Sequence, residues 1–263
     1  MPNDLSSDFF VAPAERDPLR AVQENMRKAL PKRFYKDVTV GARDGGFAVL
    51  LDGRPMRTPA GGALVAPTQA AAELIAAEWA AQGESIDPST MPATRLVNSG
   101  LDGVARDTAG VAADVVKYSG SDLVCYRAGE PDALVAAQSA GWDPALAFAR
   151  EAFGARFALA EGVMFVNQPD DTVAAIARAV APYEQAPLKL AALHSMTTLT
   201  GSALLALMVA KRALSAEAAW TAAHIDEDHQ MRLWGLDTEA LAKRAARFVD
   251  MKAAADLFAA LEA

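Results

Sequence analysis

Residues 33–66 read RFYKDVTVGARDGGFAVLLDGRPMRTPAGGALVA, and their alternation decides how the chain begins to fold. Phe34, Val38 and Val40 share one face of an extended run, Arg43-Asp44-Gly45-Gly46 has turn chemistry, and residues 47–51 form a second strand. That pattern predicts a hairpin. Asp52-Gly53 turns the chain into a third strand over 54–58, which Pro59 ends, and Gly61-Gly62 leads to a fourth over 63–66. The stretch therefore predicts a small antiparallel sheet.

On the N-terminal side, the spacing of Val22, Met26 and Leu30 predicts a short helix over 19–30, stopped by Pro31. Residues 1–20 carry acidic residues and prolines without a signal or transit pattern, which predicts a cytoplasmic, bacterial chain. Beyond Pro67 the composition turns Ala-rich and helical. Thr68 is a candidate N-cap for a helix reaching Gly83, and residues 85–94 form a proline-bearing connection. Further helices are expected over 96–101, 108–118 and 131–153, the last interrupted or divided near Trp142-Asp143-Pro144. Residues 121–126 lean toward a strand, and 156–159 with 162–166 toward a second hairpin. Asp170 or Asp171 should cap a helix to residue 181. Four more helices are expected over 188–199, 203–214, 216–233 and 238–261, the second and third capped by Ser202 and Ser215. The expected class is α+β, with a lead segment (1–30), a small antiparallel β-rich N-terminal domain (31–66) and a larger orthogonal helical bundle (67–263).

The 263 residues are 52% hydrophobic and 22% charged, enough to bury a core. A formal charge of −8 has the wrong sign for neutralising phosphates or anionic lipid, so neither nucleic-acid binding nor membrane attachment is expected. The most apolar window, 199–210, is too short for the ~20 residues of a membrane span. The single cysteine, Cys125, cannot close an intrachain disulfide.

Chemistry-bearing patterns are sparse. Neither a P-loop nor a Gly-x-Gly-x-x-Gly turn joining a strand to a helix occurs. The polar cluster His224-Ile225-Asp226-Glu227-Asp228-His229-Gln230 fails as a zincin, because its histidines are five apart and point about 140° away from each other on a helix. It also supplies only one Asp-x-x-His where a di-iron bundle needs two Glu-x-x-His pairs, so neither metal nor cofactor is expected. Cys125 lies among Leu123, Val124 and Tyr126, the setting of a packed, inert thiol. On a continuous helix after Ser215, Trp220, Glu227 and Trp234 fall at i+7 steps on one stripe, which places Glu227 near apolar neighbours and in need of a partner.

Several blocks carry a resemblance: Lys32-Arg33-Phe34-Tyr35, the run from Leu51 to Pro59, Glu78-Trp79, Met91-Pro92-Ala93-Thr94, the run from Asp122 to Ala128, Trp142-Asp143-Pro144, Asp226-Glu227 with Gln230, and Trp234-Gly235. In order and spacing they resemble the "ATP twelve" family, assembly chaperones for the soluble head of F-type ATP synthase. The resemblance implies a β-rich N-terminal part, a helical C-terminal part, binding of the free alpha subunit, and no ATPase activity. It also implies a functional acidic residue in the late-helix motif, matched by position to Glu227, with Asp228 as the alternative; Trp234 completes the expected client-binding set. Eukaryotic relatives reside in the mitochondrial matrix. Two other readings stand beside this one: a small-molecule enzyme using the Cys125 region or the cluster from His224 to His229, and a scaffold that adds a client strand to the N-terminal sheet edge. The sequence fixes no oligomeric state.

Overall fold

Asp52 and Gly53 both have positive φ, 49° and 78°, the geometry of the two-residue turn whose twist matches antiparallel strands. They join β2 (Gly46–Leu51) to β3 (Arg54–Pro55), with Leu51 opposite Arg54. The Asp52 carboxylate steadies this turn by accepting the amides of Lys36 and Asp37, at 3.0 and 2.8 Å. β1 (Val38–Arg43) pairs along the whole of β2, from Val38 opposite Leu51 to Arg43 opposite Gly46. β4 (Val65–Ala66) returns to β2 beyond β3, so β2 is central and the sheet is four-stranded and antiparallel, as the alternation predicted.

The computed structural model describes residues 30–43, 45–162 and 165–263. The helix expected over 19–30 lies outside the described residues except for Leu30, which is not helical, and Asp44 of the first turn also lies outside them. The chain divides into two compact units. In the first, residues 30–34 lie beside Gln82–Asp87: Lys32 bridges Ser85 antiparallel, and the Arg33 guanidinium donates to the Gln82 carbonyl at 2.5 Å. The second unit comprises Tyr35–Ala81 and Pro88–Ala263, and holds the sheet and every helix described below.

Helix α1 (Gln69–Ala80) starts where Thr68 accepts the Ala71 amide and packs on the sheet, where Tyr35 donates its hydroxyl to the Trp79 carbonyl at 2.7 Å. Helices α2 (Pro92–Asp102), α3 (Thr108–Ser119), α4 (Asp132–Phe153), α5 (Asp170–Val180), α6 (Pro187–Thr200) and α7 (Ala203–Ala210) follow. α4 runs through Pro144, which leaves the Ala140 carbonyl without its i+4 amide. α7 is apolar all round and forms the centre of the core. Its Leu204, Leu205 and Leu207 are fully buried, each contributing about 1.5–3 kcal/mol of transfer free energy.

Two capping groups hold the start of α7. Ser202 accepts the Leu205 amide, and the fully buried Asp122 carboxylate accepts the amides of Leu204 and Val124, at 3.1 and 3.3 Å. Burial raises the Asp122 carboxyl to about 6, against the Ser202 hydroxyl and backbone amides that favour its charged form.

Several expectations need correction. Residues 123–125 form a 3₁₀ turn, and the strand there is β5 (Tyr126–Arg127). It pairs in parallel with β6 (Ala160–Glu161), so the second hairpin does not form; residues 163 and 164 lie outside the described residues. Pro169, rather than an aspartate, caps α5, and Asp170 and Asp171 lie in its first turn. α2 begins at Pro92, and α7 stops at Ala210. The helix expected over 216–233 is two helices, α8 (Ala216–Ala223) and α9 (Ile225–Trp234), before α10 (Thr238–Ala260). Among the described residues, the class is α+β and no helix is long and apolar enough to cross a membrane.

Candidate functional site

The break between α8 and α9 builds the site. In a continuous helix the His224 amide would bond to the Trp220 carbonyl. Here the imidazole Nδ1 takes that carbonyl instead, at 2.7 Å, and the His224 amide turns to Thr221 at 3.2 Å. The His224 carbonyl then accepts the Asp228 amide, and helical bonding resumes from Ile225. Trp220 is buried against the His224 ring at 4.1 Å and the Phe248 ring of α10 at 5.7 Å.

Three contacts fix α9 on its neighbours. Buried Gln138 of α4 accepts the Ala128 amide and donates to Asp226 at 2.7 Å. Ile225 lies against Gly141, where an added Cβ would come within 2.3 Å of its Cδ1, so any larger residue there would make the Ile225 side chain shift. Asp228 is held by both terminal nitrogens of Arg244 from α10. Gly235 then ends α9 at φ 96°, ψ 170°, a backbone region open to glycine alone, and Asp237 caps α10 by accepting the amides of Glu239 and Ala240.

Glu227 corrects the stripe argument. Its side chain is 65% exposed, and the His224 Nε2 lies 3.8 Å from its carboxylate. Burial pushes the His224 imidazole below its ordinary range, so at neutral pH it is uncharged and gives Glu227 no counter-ion. The break at His224 disrupts the i+7 alignment: Trp220 is buried, while Trp234 is 87% exposed and flanked by exposed Leu233 and Leu236. Asp228 has its arginine and Asp226 the Gln138 amide, whereas Glu227 has no lysine or arginine within 4 Å among the described residues. Sequence reasoning did not find Leu233, Leu236, Gln138 or Arg244; the apolar Leu-Trp-Gly-Leu run was the available signal for the first two.

The thiol of the enzymatic reading is shut away from solvent. Cys125 is fully buried, and its thiol is pushed up to about 12 by burial and by the charge of Asp122. His194 is bonded to Asp114 at 2.8 Å. Among the described residues, no group of three His, Cys, Asp or Glu side chains is arranged to hold a metal ion.

Residues 32–150 match the profile of the family described as ATP12 chaperone protein. Solved structures extend the likeness over the helical part. A proposed chaperone from Agrobacterium tumefaciens is 51% identical over 94% of this chain and 92% of its own, with a TM-score of 0.86. Atp12 from Paracoccus denitrificans is 39% identical over 88% of this chain and 98% of its own, with a TM-score of 0.81. An aspartate-to-lysine mutant of that Paracoccus protein matches equally well. Sheet, helices and late-helix segment thus follow a relative that is aligned over nearly its whole length, and the chain belongs to the ATP12 chaperone family.

Proposed function

We propose that this chaperone binds the free alpha subunit of F-type ATP synthase in the cytoplasm and covers the surface destined for the beta subunit until beta replaces it. It acts by binding and catalyses no covalent step. The observation that carries this reading is the exposed Leu233-Trp234-Gly235-Leu236 run at the end of the helix that carries the exposed Glu227, which has no lysine or arginine within 4 Å among the described residues. Trp234 alone is 87% exposed, and large apolar side chains grouped on a surface mark sites that meet another protein.

An unpaired subunit of an obligate assembly exposes an apolar face, and a temporary cover needs apolar contact plus a polar rim that permits release. Trp234 supplies the apolar contact. Glu227 sets register and partner choice, and Asp228, fixed by Arg244, holds α9 in place for both. An interface of about 1,600 Å² or less suits such a transient role. The test is to mix the purified chain with isolated alpha subunit and warm the mixture. A complex on gel filtration with reduced light scattering is expected; absence of a complex together with unchanged scattering removes the reading.

A further inference from the structure

Leu236, exposed at the end of the apolar run, also lines an open groove of about 570 Å³ built from α4, α8, α9 and α10. Ala137, Ile225, Met231 and Leu241 complete its apolar wall, and its charged side chains are Asp228 and Arg232. We infer that this groove takes an apolar segment of the client that carries one carboxylate, and that Arg232 recognises the acid. The inference rests on the function proposed above and names the chemistry of the element that is recognised.

Two observations select this occupant. The first is the charge left over in the wall. Both terminal nitrogens of Arg244 hold the Asp228 carboxylate, so that charge is neutralised within the chain. Arg232 donates its Nε to the Asp228 carbonyl at 3.2 Å, which orients the guanidinium, and no carboxylate lies within 4 Å of it among the described residues. Its terminal nitrogens have no protein hydrogen-bond partner among those residues, and a planar pair of N–H donors fits a carboxylate through two parallel bonds. Arg232 also lies in the last turn of α9, where a cation favours the helix dipole. That role needs a charge but no apolar wall around it.

The second is the wall itself. A segment laid along Ala137, Ile225, Met231, Leu236 and Leu241 strips water from the guanidinium beside them. Without an acid it leaves a desolvated, unpaired cation, which costs affinity; with one acid it gains a charge-assisted pair in apolar surroundings. The net charge of −8 limits the occupant to a single acid, because an acidic run is repelled by the molecule as a whole. A nucleic acid meets the same repulsion and finds one cation where it needs many.

The experiment uses the full chain and isolated alpha subunit, with affinity measured for the wild type, Arg232→Gln, Arg232→Glu, Ala137→Trp and Val249→Ser. Arg232→Gln removes the pair and should weaken binding about tenfold, and Arg232→Glu adds repulsion and should weaken it further. Ala137→Trp fills the groove from α4 and should weaken binding about tenfold as well. Val249→Ser, at an exposed apolar position of α10 outside this groove, should stay within about twofold. A photo-crosslinker at Leu241 of the otherwise unaltered chain should reach an apolar segment of alpha that contains one aspartate or glutamate. Changing that acid to arginine should weaken binding to the wild type and restore binding to Arg232→Glu, a reciprocal rescue that a purely structural arginine does not produce.

If a folded Arg232→Glu binds as the wild type does, or the charge exchange gives no rescue, the groove assignment is wrong while the chaperone function stands. A crosslink to a segment without an acid, or to an acidic run, also overturns it. A self-dimer in sedimentation that Ala137→Trp abolishes gives the groove to a second copy and overturns it too. If alpha does not bind at all, the function and the groove assignment fall together.

Discussion

Trp142 of α4 donates its indole N–H to the Ala222 carbonyl of α8 at 2.7 Å, linking residues 80 apart in sequence. The indole is fully buried, and the Arg127 guanidinium lies over its ring at 5.4 Å. The bond satisfies a carbonyl in the last turn of α8, just before the backbone departs from helix at His224. Trp142→Phe leaves that carbonyl unpaired and opens a small void, so it should destabilise the fold by about 2–3 kcal/mol. Urea unfolding followed by circular dichroism measures this; a loss below about 0.5 kcal/mol would mean that the indole bond does not anchor the break.

Asp122 should give stability a pH dependence of unusual sign for a carboxylate. Its folded pKa is raised, so the native state holds the proton more tightly than the unfolded chain does. The contribution from this site is therefore fully present below the unfolded value and is lost as pH rises through about 6. The stability of the wild type minus that of Asp122→Asn should fall by roughly 2–3 kcal/mol between pH 4 and 7. Urea midpoints across this range provide the check, and a flat difference would contradict the assignment.

Cys125 should be nearly inert in the folded chain. With the thiol pushed up to about 12, the thiolate share at pH 8 is about one part in 10,000, and burial blocks reagent access as well. Disulfide-exchange reagents should label it only at the rate of unfolding and at once in denaturant. Rapid labelling under native conditions would reopen the thiol chemistry.

Gly235 occupies φ 96° and ψ 170° with nothing within 4 Å of an added Cβ. Space is available there, but the backbone conformation is closed to other residues. Gly235→Ala should cost about 1–3 kcal/mol and shift Trp234, so client binding should weaken with it. An alanine variant as stable as the parent would show that the loop relaxes to another shape.

Glu227→Lys should separate binding from folding. The side chain is mostly exposed and the imidazole 3.8 Å away is held below its ordinary range by burial, so stability should change by less than about 0.5 kcal/mol. Capture of alpha subunit should nonetheless drop. A melting temperature lowered by many degrees would instead make Glu227 a structural residue.

Local chemistry explains which features were legible in the sequence. Thr68, Ser202 and Ser215 are hydroxyl residues standing before apolar helical runs, and all three cap where expected, since an N-cap bond reaches only three residues. The alternation of β1 and β2 and the Asp52-Gly53 turn are local as well. The break at His224 was not legible because helical periodicity continues through it. What diverts the chain is an imidazole claiming the Trp220 carbonyl, backed by Gln138 and Gly141 from a helix some 80 residues earlier. The same break undid the stripe argument: an i+7 relation holds only along an unbroken axis, so Trp234 became a surface group and Glu227 an exposed one. Residues 121–126 looked like a strand, but the Asp122 carbonyl accepts the Cys125 amide and the Gly201 carbonyl the Leu123 amide, which makes 123–125 a short turn.

The Thr68 hydroxyl that opens α1 also donates to the Ala260 carbonyl at the end of α10, 192 residues later, at 2.7 Å. At ribosomal speeds of about 5–20 residues per second, α1 waits roughly 10–40 s for that latch to be made. The nascent sheet and first helix thus emerge with part of their packing still untranslated, and α10, once made, fastens back onto α1. Clipping the last turn of α10 should therefore loosen α1, a helix completed long before its latch exists.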